Sequence, residues 1–73
     1  MRQGSRQQRI LVMIANGWST KMMASELAET EGVVNGVVRE LLLRSGVRNR
    51  AHLIGWAFRE GHLQNEDVRE LPL

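Results

Sequence analysis

The sequence predicts an all-α domain, and three observations carry that prediction. Apolar residues recur at helical rather than alternating spacing along nearly the whole chain. A Ser, Thr or Asn suited to capping a helix precedes each apolar stretch, and glycines follow. The connections left by this punctuation are short.

Ser5 is placed to cap a first helix, whose apolar residues are Ile10, Leu11, Met13 and Ile14, and Gly17 provides a left-handed stop. Trp18 is expected to pack in the turn that follows. Ser19 caps a short second helix in which Met23, Ala24 and Leu27 face inward. Thr30 caps a third, with Val34, Val37, Leu41 and Leu42 as its inward stripe and Gly46 as its end. Asn49 caps a fourth, which carries Leu53, Ile54, Trp56 and Ala57 and stops at Gly61. Roughly three or four residues separate the second and third helices, the tight connection of a helix-turn-helix.

With 73 residues the chain holds one domain. A domain of this size buries only about 60% of its unfolded surface, so a partner or dimer contact would add useful stability. The expected organisation is an arm over 1–4, the helical domain over 5–63 and an acidic tail over 64–73. Cysteine is absent, which excludes a disulfide framework and thiolate metal sites. His52 and His62 are the only imidazoles, at a separation that matches no usual zinc pattern, so neither metal nor cofactor is expected. No apolar run approaches the ~20 residues of a membrane span, and no signal-peptide pattern follows Met1. A cytoplasmic protein is expected. Catalysis is not: no nucleophile–base or paired-carboxylate constellation stands at credible spacing, and no glycine-rich phosphate loop precedes a helix. The chain is also too small to bury a substrate pocket of ~300 Å³.

Net charge is +2 but unevenly spread. Arg2, Arg6, Arg9 and Lys21 are unopposed by any acid up to residue 21, whereas Glu26, Glu29 and Glu31 follow without a base. Arg39, Arg44, Arg48, Arg50 and Arg59 then face only Glu40 and Glu60. Such patches allow a nucleic-acid footprint rather than a generally basic surface.

Two motifs set at a fixed separation carry a resemblance. Gly17-x-Ser19-x-Lys21-x-x-Ala24-x-x-Leu27, followed by Gly46-Val47-Arg48-Asn49-Arg50-x-x-Leu53-x-x-Trp56-Ala57, resembles the C-terminal DNA-binding domain of the LuxR family, also called the GerE type. The likeness covers residues 5–63. It implies a four-helix domain whose third helix enters the major groove of double-stranded DNA and whose fourth makes a homodimer contact. Family members normally carry a receiver or ligand-sensing domain ahead of this unit. This sequence is therefore expected to be either an excised domain or a small self-contained transcription regulator, and Met1 with the Glu70-Leu71-Pro72-Leu73 tail favours the second.

By the same resemblance Ser19, Thr20 and Lys21 match a phosphate-touching segment, where a cap hydroxyl, free N–H groups and a cation favour an anion. The alternative is that Ser19 only caps and Lys21 is solvated. Thr30, Glu31, Val34 and Leu41 match the start and core of the third helix. The family's DNA-contacting lysine, however, falls at Asn35, the next groove-facing position is Gly36, and Val33 and Val37 replace a threonine and a histidine. Glu29 stands at a site that is usually apolar, and only Arg39 keeps a basic residue.

Asn35 can pair bidentately with adenine, and Arg39 with guanine or phosphate. Lys21, Arg44, Arg48 and Arg50 are the expected phosphate ligands. Gly32 and Gly36 offer nothing to a base and cost ~1 kcal/mol each against alanine within a helix. From Ser19 to Ser45 three bases oppose four acids, a poor balance for a DNA-reading unit.

The third helix also carries an apolar surplus. Either the first helix and the tail cover it, or Val33, Val38 and Leu43 form an interaction patch. On the fourth helix Trp56 and Phe58 are candidates for a subunit contact, with Trp56 alternatively a core aromatic. Two functions follow. One is a LuxR-type regulator that binds duplex DNA as a homodimer. The other is a protein-interaction module whose altered third helix binds another transcription regulator or RNA polymerase.

Overall fold

Each helix begins where a short polar side chain replaces the missing backbone acceptor. The computed structural model describes residues 5–68, so the expected arm over 1–4 and the tail beyond Val68 lie outside the described residues. Ser5 Oγ accepts from the Gln8 N–H at 3.3 Å and opens α1, Arg6–Ala15. Ser19 Oγ accepts from Met22 N–H at 3.2 Å at the start of α2, Thr20–Leu27. Thr30 Oγ1 accepts from Val33 N–H at 3.1 Å ahead of α3, Glu31–Ser45. Asn49 Oδ1 accepts from His52 N–H at 3.0 Å ahead of α4, Arg50–Arg59. All four caps are those the sequence predicts, and no strand occurs among the described residues.

The exits are equally local. Gly17, Gly46 and Gly61 all have positive φ, at 83°, 74° and 79°. The turn from α2 to α3 is different: Ala28 takes the left-handed conformation at φ 55°, where glycine would sit without steric cost. Ala28, Glu29 and Thr30 then make the whole connection.

α2 packs chiefly on α3, while α1 lies against both α3 and α4, which also touch each other. Between them sits one core of Ile10, Leu11, Met23, Ala24, Val34, Val38, Leu41, Leu53, Ala57 and Leu63. No polar residue is buried among the described residues. The radius of gyration, 11.8 Å, is close to the ~11 Å of a compact chain this long. No helix among the described residues is long and apolar enough to cross a membrane.

Two details correct the expected core. Val38, expected on a surface patch, is 6% exposed and packs inside, whereas Val37, expected inside, is half-buried at the edge. One residue is about 100° of helix, so a small error in the inward direction exchanges neighbours. Leu63 also joins the core at 2% exposure, because the chain turns back after Gly61 and hangs the Leu63 N–H on Ala57 O at 3.1 Å.

The start of the acidic tail is ordered against the domain. A 3₁₀ turn spans Asn65–Asp67, with Asp67 Oδ2 accepting from Gln64 N–H at 2.9 Å. Asn16, at the end of α1, donates its side-chain amide to Asp67 O at 2.8 Å.

Candidate nucleic-acid interface

The expected DNA-contacting residues divide into two groups once the helices are packed. The first group gathers where α2 and α4 begin. Thr20 is the first residue of α2 and Arg50 the first of α4, and the core brings both beside the flank of α3 that carries Asn35. Arg50 Nη2 donates to Thr20 Oγ1 at 2.7 Å, and the Thr20 hydroxyl donates onward to Asn35 Oδ1 at 3.4 Å. A guanidinium, a hydroxyl and an amide from three helices thus form one hydrogen-bonded chain.

Exposed cations flank it. Lys21 follows Thr20 in the first turn of α2, and Arg48 lies in the loop just before the Asn49 cap. Arg39 is exposed about one turn beyond Asn35, on the same side of α3. The first-turn N–H groups of α2 and α4 add partial positive charge to this rim.

Arg44 belongs to the other group. It lies about two and a half turns beyond Asn35, on the opposite flank of α3. There its Nη1 donates to Gln7 Oε1 of α1 at 3.1 Å, and Gln7 Nε2 donates to Glu40 Oε1 at 3.2 Å. The expectation that Arg44 shares a surface with the other phosphate ligands is corrected: it ties α3 to α1.

The acids are also arranged. Glu29 turns away from the Asn35 flank and pairs with Arg6 at the start of α1. Glu31 is exposed in the first turn of α3, where the helix dipole favours a carboxylate.

The outward line of α3 is shallow. Gly32, Gly36 and Leu43 lie along it, with Leu43 76% exposed and Val33, on the α1-facing flank, 37% exposed. A Cβ built on Gly36 meets nothing within 4 Å, and one on Gly32 meets only Thr30 Oγ1 at 3.8 Å. Internal packing therefore does not require glycine at either position.

On α4 the two aromatics separate. Trp56 points toward α1 and α3, where it stacks on His62 at 4.9 Å between ring centroids. It lines a groove of about 210 Å³ with Leu11, Leu41 and Arg44, below the ~300 Å³ of ordinary ligand pockets. The structure thus gives Trp56 internal partners, as a core-edge aromatic. Phe58 is half-buried and also packs against the core, next to the outward side of α4, which presents Ala51, His52, Gly55 and Arg59 around a depression of about 350 Å³. Among the described residues no cluster of three His, Asp or Glu is placed to hold a metal ion.

The sequence names Thr20, Asn35 and Arg50 separately but gives no sign that they meet. Their separations of 15 and 30 residues follow no helical repeat, and only the packing of three helices brings them together. Comparison with protein-family models, curated proteins and solved structures returns no match.

Proposed function

We propose that this chain is a small transcription regulator of LuxR/GerE-type helix-turn-helix architecture. In this reading it binds duplex DNA through the face shared by the starts of α2 and α4 and the Asn35 flank of α3. The Arg50–Thr20–Asn35 chain is the observation that carries the reading, because it joins three of the expected contacts, from three helices, on one face. Lys21, Arg48 and Arg50 hold phosphates, while Asn35 and Arg39 reach base edges in the major groove. The pairing of Glu29 with Arg6 supports this by turning one carboxylate away from the DNA.

A homodimer through α4 completes the proposal. The outward residues Ala51 and Gly55 let a second helix approach closely, Val47 lines the same depression, and the half-buried Phe58 adds its exposed edge to the contact. A twofold pair would present two third helices to successive major grooves. Fluorescence anisotropy with a labelled duplex of random sequence and a pool of genomic fragments, titrated with salt, tests the reading. Expected is binding that weakens steeply as salt rises. Affinity weaker than ~10⁻⁴ M for both DNAs at physiological salt overturns it.

Leu43 favours a second reading, in which α3 binds another transcription regulator or RNA polymerase. Its side chain is 76% exposed on the same outward line of α3 as the open Gly36, and no described residue covers it. Here Leu43→Asp, rather than a change at the buried Val38, should abolish capture of a protein partner from nuclease-treated extract. Unchanged capture removes the patch.

A further inference from the structure

We infer that Thr20 fixes the orientation of the Asn35 amide, so that Asn35 reads guanine rather than adenine. The inference rests on the duplex-DNA reading and specifies which base that face selects. An arginine guanidinium has donors and no acceptor, so in the 2.7 Å contact Thr20 Oγ1 accepts from Arg50. The one proton of the Thr20 hydroxyl is then directed to Asn35 Oδ1 at 3.4 Å. This engages the amide oxygen at the start of α2 and leaves the Nδ2 amine of an exposed residue without a hydrogen bond among the described residues.

The consequence follows from the edges of the bases. Adenine in the major groove offers an N7 acceptor next to an N6 donor, so bidentate pairing needs both the oxygen and the amine of an asparagine. With Oδ1 engaged by Thr20, the N6 donor would meet the Nδ2 amine instead, donor against donor. Guanine offers N7 and O6, both acceptors, and both suit the remaining amine. Arg50, fixed by the same hydroxyl, keeps its other N–H groups for phosphate. Thr20 is therefore a positioning residue, and Asn35 the reader that it aims.

Selection from a duplex library with a randomised segment, run on the intact chain, tests this. The wild-type chain should enrich guanine at one position of each half-site. Anisotropy on the guanine and adenine versions of that site should show roughly a five-fold preference, the size of one net hydrogen bond. Thr20→Ser keeps the hydroxyl and should keep the guanine. Thr20→Val removes it at nearly constant shape and should move the preference toward adenine. Asn35→Ala should flatten the preference at that position and no other. Adenine selected by the wild-type chain, an unchanged guanine preference in Thr20→Val, or a preference that survives Asn35→Ala overturns the inference and leaves the DNA reading in place. Absence of salt-dependent duplex binding by the wild-type chain overturns both.

Discussion

Gly36 and Val38 stand two positions apart on α3, and their surroundings assign them opposite consequences when substituted. Gly36 lies inside a helix, on its outward side, and a Cβ there meets nothing within 4 Å. Gly36→Ala should therefore raise stability by about 1 kcal/mol, the difference in helix propensity, as read from the denaturant midpoint. A loss of stability would mean that the glycine serves a contact within the domain. Val38 is buried among apolar side chains. Val38→Asp would place a carboxylate there without a partner, and cooperative unfolding should be lost at room temperature by circular dichroism. The sequence does not distinguish Val38 from Val37, because the third helix carries apolar residues around most of its circumference. The inward direction is set by where α1 and α2 come to rest, a tertiary fact that no local pattern states.

At the scale of the element, the helix starts were legible because a cap is a local interaction, made between residues three apart. Ser5, Ser19, Thr30 and Asn49 each accept from the expected backbone N–H. The exits were legible where glycine marks them and less so at Ala28, which adopts φ 55° without being a glycine. That turn sets the approach of α3 to α2, and its strain makes a prediction. Ala28→Gly should stabilise the domain by about 0.5–1 kcal/mol: relief of left-handed strain exceeds the added freedom of the unfolded chain. The complementary change, Gly46→Ala at φ 74°, should destabilise by about 1 kcal/mol. Both are read from thermal or denaturant unfolding at equal protein concentration, and effects of the same sign would contradict the account. The 3₁₀ turn at Asn65–Asp67 escaped the sequence reading because it is a single turn, fixed by Asn16 from the far end of α1.

Across the whole molecule, charge is distributed by packing rather than by sequence order, and this gives the DNA reading a quantitative test. Lys21, Arg48 and Arg50 flank one face, while Arg44 is drawn to the α1 side by Gln7 and Arg6 is paired with Glu29. Sequence alone grouped Arg44 with the phosphate ligands, since it is basic and near the end of the third helix. Half a helical turn separates it from their face. If three cations per protomer neutralise phosphates, log K should fall with log salt at a slope of about −2.7 per protomer, from −0.9 for each phosphate. Lys21→Gln should make the slope shallower by about 0.9, and so should Arg48→Gln, each with a matching loss of affinity for every duplex sequence. Arg44→Gln should leave the slope unchanged. A shallower slope in the Arg44 variant, with none in the Lys21 variant, would move the DNA to the α1 side of α3 and reverse the orientation proposed for the domain.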